Sequence, residues 1–238
     1  MEGQGTTRLE PLGGGLHIYT TKACNYGTDA VLLADFSMPQ AGERSLDLGT
    51  GSGIIPLLWH KQQGLSKTVG VEIQPEACQL AEKSIRRNDL ACQIEIVNAD
   101  LCFLPVLWRD GFDLIACNPP YFPADSRQSP CAVRATARGE GLCRLKDVVH
   151  TARRLLRPGG RFCVCQRPQR LEELALLLRA EGLHLTRLRY AFHSRDREPF
   201  LLLAEAAEQG SLQSLPPLFL YDGGVPSAEY RRIYKDFL

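Results

Sequence analysis

The stretch Ser45-Leu46-Asp47-Leu48-Gly49-Thr50-Gly51-Ser52-Gly53-Ile54-Ile55-Pro56-Leu57-Leu58 decides the fold class. Arg44 to Leu48 reads as the first strand, ending at Gly49, and Ile54 to His60 reads as a helix. Glycines at alternate positions between a strand and a helix let the backbone turn tightly and approach a ligand closely. Outward from this unit the pattern repeats. Thr68 to Ile73 reads as a strand, and Pro75 opens a helix that runs to about Asn88, proline being preorganised for the first helical position. Gln93 to Asn98 alternates as a third strand. Phe112 to Cys117 is a fourth, and it must stop at Asn118-Pro119-Pro120, because two prolines cannot continue a central ladder. Leu145 to Leu156 is helical, Arg161 to Gln166 is a fifth strand, and Pro168 to Glu181 is a helix stopped by Gly182. Leu183 to Tyr190 and Phe200 to Ala204 lie too close together for a crossover helix, so they are expected to pair antiparallel. Upstream, Thr28-Asp29 is expected to cap a helix carrying Ala30 to Phe36, and a last helix is expected over Ala228 to Phe237.

Strands alternating with helices predict an α/β domain with helices on both faces. The expected sheet is seven-stranded and mostly parallel, with one antiparallel strand at an edge. Residues 1–25 read as a glycine-rich lead-in with a hairpin around Gly13–Gly15, and 26–238 as one domain. The composition agrees: of 238 residues, 44% are hydrophobic and 23% charged, which excludes a disordered chain, a collagen-like repeat and a small disulfide scaffold. No apolar run approaches the roughly 20 residues of a spanning helix. The opening MEGQGTTRLEP has no basic start and no apolar core of a secretory signal. Nine cysteines without a Cys-x-x-Cys pair point to reduced thiols in a cytoplasmic protein. The histidines show no ligand spacing, and no metal is expected. The net charge of +1 excludes a polybasic nucleic-acid binder. It conceals a split, since residues up to 118 hold 9 Lys and Arg against 14 Asp and Glu, and those after it hold 19 against 13. A basic second half allows a local phosphate-facing patch as readily as a solvated face.

The ligand chemistry follows from three places along the expected carboxyl edge of the sheet. Glu72 lies near the end of the second strand, 19 residues past Gly53, where a carboxylate can accept from both hydroxyls of a ribose. A dinucleotide fingerprint needs its third glycine one position later, where Ile54 stands, and a P-loop needs Gly-Lys-Ser/Thr. The spacing Asp-x-Gly-x-Gly-x-Gly instead resembles the first motif of methyltransferases that use S-adenosylmethionine. Asp100-Leu101 follows the third strand; in the resembling enzymes an acidic residue here receives the adenine amino group and the next backbone N–H meets a ring nitrogen. An Asp capping the following helix explains Asp100 as well. Asn118-Pro119-Pro120-Tyr121 ends the fourth strand. The Asn118 side chain and the Pro119 carbonyl offer two acceptors that can orient the hydrogens of an exocyclic amine and accept charge developing on its nitrogen. Tyr121 offers a flat face for stacking a planar substrate.

Together with Gly27-Thr28-Asp29-Ala30-Val31-Leu32-Leu33-Ala34, Val71-Glu72-Ile73-Gln74 and Cys117 to Phe122, these motifs resemble the bacterial tRNA1(Val) adenine-37 N6-methyltransferase family. The likeness continues through Arg167-Pro168, Ser194-Arg195-Asp196-Arg197-Glu198 and Tyr221-Asp222, so it spans about residues 16–236. It implies a class I, Rossmann-like methyltransferase domain that moves a methyl group from S-adenosylmethionine to the N6 amine of a tRNA adenine. It assigns Asp47, Gly49, Gly51, Gly53, Glu72, Asp100, Leu101 and Asn118 to the cofactor, and Asn118, Pro119, Pro120 and Tyr121 to the target amine and base. The tetrad is shared with enzymes that methylate DNA adenine or the glutamine of release factors, so a release-factor glutamine methyltransferase is the alternative enzyme. A non-catalytic RNA-binding protein retaining the fold is the alternative from another class. The long stretch 122–142 follows the tetrad, and Phe122, Arg127, Arg134 and Arg138 are candidate substrate contacts, the arginines through RNA phosphates. Arg195 and Arg197 either bind RNA or pair with Asp196, Glu198 and their neighbours.

Overall fold

A computed structural model describes residues 6–61, 67–119 and 144–234. The chain enters as an antiparallel hairpin, β1 (Arg8–Gly13) and β2 (Leu16–Thr20), at the place expected from Gly13–Gly15. This lead-in is packed, because Leu12 and Ile18 are fully buried in the same core cluster as the first helices. There follow α1 (Thr28–Phe36), β3 (Ser45–Leu48), α2 (Ile54–Trp59), β4 (Thr68–Glu72), α3 (Pro75–Arg87), β5 (Ile94–Asn98) and β6 (Phe112–Cys117). After residue 143 come α4 (Leu145–Leu155), β7 (Leu156–Gln166), α5 (Leu171–Ala180), β8 (His184–Phe192) and β9 (Pro199–Ala207). Four two-residue strands, β10 (Gln213–Ser214), β11 (Leu218–Phe219), β12 (Tyr221–Asp222) and β13 (Val225–Pro226), lead to α6 (Ala228–Ile233).

The central sheet has the order β10-β8-β9-β7-β6-β3-β4-β5, with β11 also paired to β8. The seven long strands are those expected, and β8 and β9 pair antiparallel as their short connection requires. Two details differ. The sheet has nine strands, because β10 and β11 extend it along β8; two residues are too few to show an alternating pattern. The antiparallel strand β9 is internal, hydrogen-bonded to β7 on one side and β8 on the other. Its run of buried residues from Leu201 to Ala206 is what a strand with neighbours on both sides and cover on both faces requires. Since β9 is antiparallel to both its neighbours, β8 runs in the same direction as β7 and the rest of the sheet.

Two smaller expectations are also corrected. The cap of α1 is Gly27, in extended conformation and with no side-chain bond, so Thr28 is the first helical residue. Strand β7 begins at Leu156, and Pro158-Gly159-Gly160 forms an irregularity inside it, where the register to β6 jumps between Phe112 and Leu114. Successive side chains in a strand point to opposite faces. Leu46, Leu48, Val69, Val71, Ile115 and Phe162 accordingly pack with Val148, Ala152 and Leu174 of α4 and α5. Leu114, Ala116, Cys163 and Cys165 pack with α1 and α2 on the other face. Each fully buried Leu or Ile contributes roughly 1.5–3 kcal/mol, and this double core fixes the sheet edge that carries the site.

Candidate active site

Chain order along the sheet reverses between β3 and β6. From β3 the chain moves outward to β4 and β5, then returns to lay β6 on the other side of β3. At such a switch point the loops leaving the carboxyl ends of the two central strands diverge and open a crevice for a ligand. Leu48 is in register with Cys117, so Gly49 and Asn118 are the next residues out of strands about 4.8 Å apart. Leu48 is also level with Val71, and Glu72 is level with Asn98. The glycine loop, Glu72, the Asp100 turn and Asn118 therefore stand along one edge.

Gly49, Gly51 and Gly53 have φ of 76°, 56° and 85°. The N–H groups of Gly49 and Thr50 both donate to the Val71 carbonyl, at 2.8 and 2.9 Å. Glu72 is buried and its carboxylate is held on both sides, with Gly51 N–H donating to Oε2 and Gln74 N–H to Oε1, each at 2.9 Å. A carboxylate has about four acceptor positions, so Glu72 supports the loop and still has capacity for ribose hydroxyls. The loop is also pressed against its surroundings: a Cβ on Gly53 would lie 3.2 Å from the Ala81 Cβ of α3, and one on Gly70 would lie 2.9 Å from Thr50 Cγ2.

Beneath the loop Asp47 is 1% exposed, and neither of its carboxylate oxygens has a hydrogen-bond partner among the described residues. The Thr50 and Ser52 hydroxyls are buried and orphaned in the same way. Burial pushes the Asp47 carboxyl up to about 7; the Thr50 hydroxyl, close by but outside hydrogen-bonding geometry, pulls the other way, and the Glu72 charge adds to the rise. Buried polar groups are ordinarily satisfied, and three residues with orphaned side-chain atoms cluster around this one glycine loop.

Asp100 does cap the turn after β5, its Oδ1 accepting from Cys102 N–H at 2.9 Å. Nothing in the sequence singles out Asn98, yet its Nδ2 donates to the Glu72 and Ile73 carbonyls at 2.8 and 3.0 Å and fixes the end of β4. Cys78 joins it, donating from Sγ to the Glu72 carbonyl at 3.4 Å. Cys165 is fully buried on a core face of β7, but its thiol also donates to Asn118 Oδ1 at 3.0 Å. Asn118 is half-buried at the crevice and Pro119 is buried. Pro120, Tyr121, Phe122, Arg127, Arg134 and Arg138 lie outside the described residues. The pairing of Arg195 is corrected: its partner is Asp222, 27 residues on, at 3.2 Å, while Asp196 accepts from the Ser194 hydroxyl at 2.6 Å. Among the described residues no group of three or more His, Cys, Asp or Glu is placed to hold a metal ion, and no helix is long and apolar enough to cross a membrane.

Comparison with known proteins supplies an independent line. A family model described as a methyltransferase domain matches residues 39–192. A relative from Parabacteroides distasonis named tRNA1(Val) (adenine(37)-N6)-methyltransferase is 31% identical over 183 residues, covering 77% of this chain and 76% of its own. One of the same name from Porphyromonas gingivalis is 30% identical over 227 residues, covering 90% and 89%. Among solved structures, an Agrobacterium tumefaciens protein described as an O-methyltransferase superposes with a TM-score of 0.69 at 20% identity, over 88% of this chain and 97% of that one. At that identity the likeness is one of fold.

Proposed function

The chain belongs to the tRNA1(Val) (adenine(37)-N6)-methyltransferase family, and on that premise we propose that it transfers the methyl group of S-adenosylmethionine to the exocyclic N6 amine of an adenine in tRNA. It is an S-adenosylmethionine-dependent enzyme. The observation that carries the residue assignment is the register of β3 with β6, which brings the glycine loop and Asn118 side by side at the switch point. The residues present fit the cofactor. A Cβ on Gly49 or Gly51 would meet nothing within 4 Å, which leaves room for it there, Glu72 accepts from the ribose hydroxyls, and Asp100 with the Leu101 N–H reads the adenine. Asp47 and the neighbouring hydroxyls, orphaned and buried, receive the polar amino-acid end.

S-adenosylmethionine supplies a methyl group already activated by a sulfonium centre, so the protein's work is placement and electrostatics. An adenine amine is a poor nucleophile because its lone pair is delocalised into the ring. Asn118 Oδ1 and the Pro119 carbonyl accept its two hydrogens, turn the lone pair toward the methyl carbon, and stabilise positive charge as the N–C bond forms and the S–C bond breaks. The surplus proton then leaves to water. Tyr121 and Phe122 stack the base, and Arg127, Arg134 and Arg138 meet phosphates. Oriented acceptors of this kind are typically worth about 3 kcal/mol. No disulfide joins the seven described cysteines, in keeping with the reducing compartment, the cytoplasm, that a tRNA substrate implies.

The test is methyl transfer from labelled S-adenosylmethionine to total tRNA from a strain lacking this protein, with release factor and duplex DNA as rival acceptors. Label in tRNA alone is expected. Label in the release factor, or none in tRNA while the protein binds S-adenosylmethionine, rejects the reading.

A further inference from the structure

The carboxyl edge of the sheet continues past Asn118. Because β8 runs with β7, its end at Phe192 opens on the same edge as the glycine loop. Beyond it, residues 193–197 and the β12–β13 hairpin wall a groove of about 780 Å³. The walls are stitched together by Tyr221 N–H donating to the His193 carbonyl at 2.8 Å and Leu220 N–H to the Phe192 carbonyl at 2.9 Å.

The groove sets two arginines, Arg195 and Arg197, and two aspartates, Asp196 and Asp222, beside flat faces. The Arg195 guanidinium forks onto the Asp222 carboxylate at 3.2 and 3.3 Å and lies over the Phe219 ring, 4.8 Å from its centroid. Those two hydrogen bonds leave further N–H donors of the five on a guanidinium. Arg197 is exposed, and together with the Ser194 hydroxyl its charge helps to hold the neighbouring Asp196 carboxyl below its usual value. The acid between them, Asp196, is turned to the Ser194 hydroxyl. Tyr221 is 38% exposed and backed by the Tyr230 ring at 5.6 Å. His193 stacks on Phe200 at 4.2 Å with an interplanar angle of 18°. The far wall ends in Gly223-Gly224, where an added Cβ would meet nothing, so the backbone there is open to close approach.

The groove is joined to the reacting edge. Arg167, just past β7, donates to the Phe200 carbonyl at 2.9 Å, and Phe200 carries His193. From β6 to β8 is three strand spacings, roughly 14 Å, a separation that a few nucleotides of a looped strand span. Arginines interleaved with aromatic faces along an open groove are the chemistry of single-stranded nucleic acid.

We propose that this groove is a second RNA subsite, in which Arg195 and Arg197 hold a phosphodiester and Tyr221 stacks a nucleobase that flanks the target adenine. The assignment rests on the tRNA reading above and gives that reading a grip separate from the reacting centre.

The experiment measures equilibrium binding of tRNA over a salt series for the wild type, Arg197→Glu, Tyr221→Leu and Tyr221→Phe, with methyl-transfer kinetics on the same tRNA and binding of S-adenosylmethionine in parallel. Arg197 is exposed, so its variant should stay folded, and unchanged cofactor affinity verifies that. Arg197→Glu should weaken tRNA binding and flatten the slope of log K against log salt by about 0.7–0.9, the share of one phosphate that is no longer neutralised. Tyr221→Leu should weaken binding roughly ten-fold with the slope unchanged, while Tyr221→Phe keeps it. In both weakened variants KM for tRNA should rise with kcat little altered. If both bind tRNA as the wild type does, while the wild type binds and methylates tRNA, the subsite is wrong and the tRNA reading stands. If the wild type binds S-adenosylmethionine but neither binds nor methylates tRNA, the tRNA reading falls and the subsite with it.

Discussion

Replacing Asp47 by Asn tests the buried carboxylate beneath the glycine loop. Asp47 is 1% exposed, has no hydrogen-bond partner among the described residues, and is pushed by burial to about 7. In the unfolded chain an aspartate titrates near 3.9. The folded value lies above the unfolded one, so between them the native state binds the extra proton and stability falls as pH rises. The loss begins near pH 4 and levels off above pH 7. From pH 5 to pH 7.5 the linkage amounts to about 2–3 kcal/mol. Asn has nearly the same shape and no charge to bury, so the variant should lack this slope and gain on the wild type by that amount across the window. Urea unfolding of the cofactor-free protein at pH 5, 6, 7 and 7.5 reads it directly. Stability curves that stay parallel over this range would refute the claim that a costly buried charge sits under the loop. The same carboxylate is proposed to receive the cationic end of the cofactor, so binding near pH 6 should release a fraction of a proton in the wild type and none in Asp47→Asn. Calorimetry in buffers of different ionisation enthalpy measures that release.

Asn118→Ala should lower kcat on tRNA by roughly a hundred-fold with cofactor affinity nearly unchanged; equal losses in both would show that Asn118 serves binding rather than the amine. Glu72→Ala removes the acceptor of the Gly51 and Gln74 N–H groups and should raise the cofactor Kd well before it lowers kcat at saturation, as a titration with S-adenosylmethionine will show. Gly53→Ala forces a φ of 85° on a residue with a Cβ and sets that Cβ 3.2 Å from Ala81; thermal unfolding should reveal a loss of about 1–2 kcal/mol. Changing Arg127, Arg134 and Arg138 together to Ala should weaken tRNA binding and reduce its salt dependence, and an unchanged slope removes their assignment to phosphates.

The strand-loop-helix unit at Asp47 to Leu58, the helix opened by Pro75 and the stop at Asn118 were legible because each depends on local chemistry. Glycines permit the turn, proline fixes φ, and apolar spacing sets the period. The position of β9 was not legible, because antiparallel pairing with β8 is equally satisfied by an edge or an internal strand. Only its place between β7 and β8 decides that, and the one hint was its unbroken apolar run. The strands β10 to β13 are two residues each, too short for any periodic signal. Thr28 looks like a cap in sequence, but Gly27 takes that place and the helix begins one residue earlier than a threonine cap would set it. Within the site, Glu72 was visible from its spacing to the glycines. Asn98 and Cys165 were not, because an asparagine at a strand end and a cysteine on a core face are ordinary until the fold sets them against Glu72 and Asn118. The Arg195–Asp222 wall of the groove joins residues 27 apart, a pairing that no short motif encodes.

We propose that Asn118 presents a tRNA adenine amine to the methyl donor held in the adjoining glycine crook. Nucleoside mass spectrometry, mapped to position, after purified wild-type protein acts on unmodified tRNA tests it most directly. N6-methyladenosine is expected at one adenine with the wild type, and its disappearance with Asn118→Ala while that variant still binds S-adenosylmethionine. A methyl group on another atom or another base, or full product from Asn118→Ala, contradicts it.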